Sequence, residues 1–167
     1  MTVQMELSRI FIREMTEMQI IELTEVDGER TFPIVIGLGE ASEIRRVLHG
    51  ESTPRPLTHQ LAQSLIDSLD ASLSGVDIID LRDNTFYAEL VLTDGGGEEV
   101  RVDSRPSDAL ALGLRAGCQL RVAESVLEQV RMDQAASDSD PDPDPGPDPD
   151  PDPDSDLGLG GIHPTEP

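Results

Sequence analysis

Two short stretches hold the residues best suited to chemistry. Each joins an Arg-Pro step to the predicted start of a helix: Arg55-Pro56-Leu57-Thr58-His59 and Asp103-Ser104-Arg105-Pro106-Ser107-Asp108. A helix N-terminus presents unpaired N–H groups and the positive end of the helix dipole, and a nearby guanidinium adds a forked donor matched to phosphate oxygens. Arg55, Arg105, Thr58 and Ser107 are therefore the expected phosphate-binding residues. A purely local use competes with this. Thr58, Ser107 and Asp108 are also good capping or first-turn residues, and Asp103 stands two positions from Arg105 as a ready ion-pair partner.

Hydrolysis of a phosphodiester needs an in-line water, a group to take its proton, and charge neutralisation at phosphorus, commonly from divalent ions held by carboxylates. His59 supplies the side-chain type most used for proton transfer near neutral pH. His59, Asp103 and Asp108 are the candidate catalytic groups. Glu40, Asp80, Asp103 and Asp108 are candidate metal ligands, with Asp103, Asp108 and Glu40 the preferred set for Mg or Mn. The chain has no H-E-x-x-H pair, D-x-D-x-D-G loop, P-loop or G-x-S-x-G elbow. Gly95-Gly96-Gly97 has no helix after it and reads as a turn between strands.

Composition narrows the classes further. The 12 basic residues are all Arg, so Schiff-base and P-loop lysine chemistry is excluded. Aromatic residues make up 2% of the chain (Phe11, Phe32, Phe86 and Tyr87), too few for the stacked rings that read single strands. The net charge of −22 opposes nucleic acid, but it is unevenly placed. Residues 133–167 hold ten Asp, one Glu, nine Pro and no basic residue, which predicts a disordered, extended acidic tail. Residues 1–132 keep 23 acidic and 12 basic residues, a net of −11, and suffice for one core.

A single cysteine, Cys118, excludes an internal disulfide and reads as a small core residue. The first 20 residues are interrupted by Glu6, Arg9, Arg13, Glu14 and Glu17, so no signal peptide is expected there. No run of about 18 apolar residues predicts a membrane span. These features lead to the expectation of a cytoplasmic protein that does not engage membranes.

The elements that must position the two joints follow from periodicity. Strands are expected over 3–13, 18–26 and 31–36, with Asp27-Gly28 as a tight hairpin signal. Ala41, Ile44, Val47 and Leu48 recur at helical spacing up to Gly50 in the C′ position. A second amphipathic helix, capped by Thr58, carries Leu61, Leu65, Ile66 and Leu69. Strands over 76–81 and 85–92 meet across Asp83-Asn84, and a further strand, 99–103, leads to a nearly all-apolar helix from Pro106 to Ala116, ended by Gly117. A short strand near 120–122 and a last helix over 125–131 complete a single α+β domain: a mostly antiparallel sheet with three to four helices packed on it.

Four blocks in this order resemble the bifunctional nuclease domain family of bacteria and plants: Phe32-Pro33-Ile34-Val35-Ile36-Gly37 with Glu40-Ala41; Arg55 to His59; Asp80-Leu81-Arg82-Asp83-Asn84-Thr85-Phe86-Tyr87-Ala88; and Val102 to Ala109. The resemblance covers residues 3 to about 130 and none of the tail. It implies a compact α+β domain that self-associates as a homo-oligomer, and nonspecific nuclease activity on DNA and RNA. Gln60 stands where the family pattern has an acidic residue, and Asn84 stands at a usual turn glycine. The alternative function is a noncatalytic binding or assembly module recognising an anionic ligand or a partner protein.

Overall fold

The computed structural model describes residues 1–13 and 16–137, which form seven strands and four helices. The strands are β1 (Thr2–Phe11), β2 (Met18–Glu25), β3 (Thr31–Gly37), β4 (Ser72–Arg82), β5 (Thr85–Thr93), β6 (Glu99–Ser104) and β7 (Gln119–Ala123). The helices are α1 (Leu38–Leu48), α2 (Thr58–Ser68), α3 (Pro106–Ala116) and α4 (Glu124–Ser137). The expected α+β class and largely antiparallel sheet are what the structure shows.

Two antiparallel meanders, β1–β2–β3 and β4–β5–β6, are joined by β7 in the order β3-β2-β1-β7-β4-β5-β6. β7 runs antiparallel to β1 and parallel to β4, the sheet's sole parallel pair. The sheet curls strongly, so that Phe32 on β3 and Phe86 on β5 stack with ring centroids 5.5 Å apart although four strands separate them in the sheet.

Local signals explain most element ends. Asp83 and Asn84 take φ of 48° and 58°, the left-handed pair of a two-residue hairpin, so Asn84 does the work of the usual glycine. Gly117 closes α3 at φ 67°. The tight turn expected at Asp27-Gly28 is instead a five-residue loop, 26–30, closed by the Glu25 N–H donating to the Arg30 carbonyl at 2.9 Å. The Arg30 guanidinium also grips the Glu25 carboxylate, at 2.7 Å, which holds the wider loop shut.

The last helix runs six residues past its expected end, to Ser137. Asp133 to Ser137 contains no proline, so nothing in it stops a helix before Pro141. The rest of the expected acidic tail, 138–167, lies outside the described residues.

α3 is the central helix. Pro106, Ser107 and Ala109 to Gly113 are buried, and the helix crosses β4 and β5 so closely that a Cβ on Gly113 would lie 2.7 Å from Cγ2 of Val76. Gly113→Ala is expected to lower stability by about 1–2 kcal/mol in a urea titration, because the overpacking outweighs the gain in helix propensity.

α1 packs on α3, β2 and β3, and α4 packs on β4 and β7. α2 packs mainly on α3 and β4 and buries none of its residues fully. Its half-buried side comprises His59, Ala62, Gln63 and Ile66, whereas Leu61, Leu65 and Leu69 face outward. Of the four apolar residues expected on this amphipathic helix, only Ile66 therefore packs inward.

Candidate active site

α1, α2 and the first turn of α3 frame an open cleft of about 750 Å³. Glu40, Glu43 and Arg46 line it from α1, Leu57, Thr58, His59 and Leu61 from α2, and Arg105 and Asp108 from the start of α3. The two Arg-Pro joints thus converge, because α2 and α3 both begin here.

A chain of hydrogen bonds connects three elements. His59 Nε2 lies 2.9 Å from Asp108 Oδ1. Arg105 donates to Asp108 through Nε at 2.7 Å and through a terminal nitrogen at 3.1 Å, and the same terminal nitrogen reaches Glu40 Oε1 at 2.7 Å. Arg105 therefore pairs with Asp108 one helical turn on and with Glu40 across the cleft, rather than with Asp103.

Burial pushes the Asp108 carboxyl upward, but hydrogen bonds from Arg105 and His59 outweigh it and hold the group below the ordinary carboxylate range. Its bonds raise Arg105 in turn, Asp108 contributing most. An ionised carboxylate only accepts, so Nε2 of His59 must carry the proton of their bond, leaving Nδ1 as the basic nitrogen of the neutral ring. Nδ1 has no hydrogen-bond partner among the described residues.

The helix starts are built differently from the expected Thr58 cap. Leu57 is the N-cap of α2, and the Gln60 side chain accepts its N–H at 2.8 Å while also accepting the Thr53 hydroxyl at 2.8 Å. An amide oxygen can fill this capping-box role as a carboxylate would, which accounts for Gln60. The Thr58 hydroxyl is left facing the cleft without a partner among the described residues.

The other expected site residues lie apart from this chain. Arg55 is exposed just before the cleft, and its guanidinium has no partner among the described residues. Ser107 is buried and opens on a second cleft of about 560 Å³ between β3 and the start of β5, which Arg105 also borders. Asp103 stands on edge strand β6 opposite Glu89, outside the cleft lining. Asp80 is held by Arg82 at the β4–β5 turn. Burial pushes the Cys118 thiol up, as befits a packing residue.

The expected metal ligands do not assemble. Asp103 is absent from the cleft, Arg105 occupies the space between Glu40 and Asp108, and among the described residues no three His, Cys, Asp or Glu side chains converge as a metal set. The donors as arranged do not fit a divalent ion.

One wall escaped the sequence reading. Glu43 is buried and holds both Arg46 on its own helix and Arg115 on α3, the latter at 2.7 Å. Glu40, Glu43 and Arg46 fall at three-residue intervals, and that spacing is the signal for a shared charged face on α1.

These features define a compact α+β domain whose helix-framed cleft carries a linked imidazole, carboxylate and guanidinium. A sequence model of the bifunctional nuclease domain matches residues 21–135, and the chain belongs to that family. Two uncharacterised proteins of Mycobacterium tuberculosis, from strains CDC 1551 / Oshkosh and ATCC 25618 / H37Rv, are each 43% identical over 110 residues, which is 66% of this chain and 65% of theirs. Among the described residues no helix is long and apolar enough to cross a membrane.

Proposed function

We propose that the cleft hydrolyses phosphodiesters of DNA and RNA without sequence preference. The family supports a nuclease-like function, and the hydrogen bond from His59 to Asp108 carries the assignment of the site. A general base oriented by a carboxylate is a recurrent device for activating an oxygen nucleophile.

In this reading, Nδ1 of His59 takes a proton from the attacking water as its oxygen bonds to phosphorus. The phosphorus–ester oxygen bond breaks, and the imidazolium returns a proton to the departing alkoxide. Asp108 fixes the ring and stabilises its charged form. Arg105, Arg55 and the open first turn of α2 with the Thr58 hydroxyl oppose the charge that grows on the phosphoryl oxygens. In this reading no step is assigned to a metal ion, since Arg105 already bridges the Asp108 and Glu40 carboxylates.

The test is nicking of supercoiled plasmid and cleavage of single-stranded RNA by the purified full-length chain. Asp108→Asn, whose amide can impose the wrong tautomer on His59, is expected to lower both activities at least about 100-fold. Activity in excess EDTA is expected to stay within about threefold of its value without it. Equal residual cleavage by the wild type and Asp108→Asn overturns the assignment, and a strict metal requirement overturns the metal-free arrangement. Tight binding of nucleic acid without cleavage in either protein would instead favour a binding module.

A further inference from the structure

We propose that the second cleft, between β3 and the start of β5, is a subsite for a nucleoside phosphate. Its anion-binding end is the start of α3. Ser107 is 7% exposed and lines this cleft, yet its hydroxyl has no hydrogen-bond partner among the described residues. Buried polar groups are ordinarily paired, so an unpaired hydroxyl in a cleft wall is a donor open to a ligand.

Three further donors stand beside it. α3 has no side-chain cap, and the N–H groups of Ser107 and Asp108 in its first turn have no acceptor among the described residues. Arg105 lines both clefts and uses Nε and one terminal nitrogen on Asp108 and Glu40, which leaves its other terminal nitrogen free among the described residues. With the positive end of the helix dipole, these donors suit a phosphate. The start of α1 also reaches this cleft through Gly37, but there the Glu40 carboxylate folds back beside the glycine, so the anion belongs on α3.

The rest of the cleft identifies what the phosphate carries. Pro33, Val35 and the half-buried ring of Phe86 give it an apolar wall. Asn84 stands at the far end, and its side-chain amide, both donor and acceptor, has no partner among the described residues. From Pro33 to Gly37 the cleft follows four steps of extended strand, about 13 Å, the span of a nucleoside monophosphate from its phosphate to the far edge of its base. A volume of about 560 Å³ admits one such unit. Phosphate alone would leave the apolar wall in water, and an apolar ligand would leave the α3 donors unpaired. Glu17, exposed at the rim, is the one acid lining the cleft among the described residues, and it opposes a second phosphate on the ligand.

The shared Arg105 sets this subsite next to the cleft that holds His59. A nucleotide bound here is either a free molecule or the unit of a strand beside the phosphate under attack. The second placement rests on the nuclease reading, whereas the binding chemistry does not.

Calorimetric titration of the full chain with adenosine monophosphate is expected to give a Kd of about 10–1000 µM, with adenosine or ribose phosphate at least about tenfold weaker. Ser107→Ala is expected to weaken the nucleotide at least about tenfold by removing a donor to a charged group. Val35→Glu, at a position 59% exposed, is expected to do the same by charging the apolar wall. Both variants should keep a urea midpoint within about 0.3 M of the wild type, because neither substitution breaks a hydrogen bond of the fold. Hexadeoxyadenylate with phosphorothioate links, which resist cleavage, separates the two sources. Displacement of the bound nucleotide by the hexamer supports a strand unit, and a nucleotide that the hexamer leaves in place supports a free ligand. No binding at about 5 mM, unchanged affinity in both variants, or ribose phosphate bound as tightly as the nucleotide overturns the subsite. Each of these results leaves the cleavage test of the first cleft as it stands.

Discussion

His59→Ala is expected to abolish nearly all cleavage of DNA and RNA, with kcat falling about 10²–10⁴-fold, the usual contribution of a positioned general base. KM is expected to change less than about threefold, because Arg105, Arg55 and the first turn of α2 remain to hold phosphate. His59 is about one-sixth exposed, so removing the ring opens a small water-accessible space beside Asp108. Added imidazole is expected to restore part of the lost rate in His59→Ala. The same addition is expected to do nothing for Asp108→Asn, where the ring is present but its proton is misplaced. Rescue of neither variant, with cleavage still intact in His59→Ala, would place the chemistry elsewhere in the cleft.

The second large effect is on stability. Glu43→Gln is expected to cost about 3 kcal/mol in a urea titration, because Arg46 and Arg115 would be left partly buried without their carboxylate. Burial pushes the Glu43 carboxyl up, but hydrogen bonds from Arg115 and Arg46 outweigh it and leave the group below its ordinary value. A carboxyl lowered by folding stabilises the native state above its unfolded pKa, about 4.3, and that contribution is lost as pH falls through the lower folded value. The wild type should therefore lose stability below about pH 4 more steeply than Glu43→Gln, which has no proton to gain at this position. Parallel acid profiles for the two proteins would show that the Glu43 bridge contributes little.

What could be read from the sequence was local. Asp83-Asn84, Pro106 and Gly117 act through backbone geometry within a few residues, and all three positions behave as their residue types require. That each Arg-Pro joint begins a helix was legible; that the two helix starts meet at one cleft was not, because it depends on α2 packing on α3. The partners of Arg105 were not: Asp108 lies one turn along α3, but Glu40 is 65 residues away and meets it only once α1 packs on α3. The expected metal set does not assemble because Asp103 stays on edge strand β6, outside the cleft lining, while Asp108 lines the cleft from α3. The orientation of α2 was ambiguous because Ile66 and Leu65 are adjacent, and either side of the helix can be read as its apolar face.

β7 has a further consequence, for the order of folding. The strand at the centre of the sheet is drawn from residues 119–123, among the last of the domain to be synthesised, and neither meander pairs directly with the other. A nascent chain can form each meander from neighbouring hairpins, but joining them must wait for Val122, fully buried between them, and so demands contacts of long sequence separation. Completion of this domain is thus a late event in its synthesis, and a chain cut before Gln119 would consist of two half-sheets with no seam to close them.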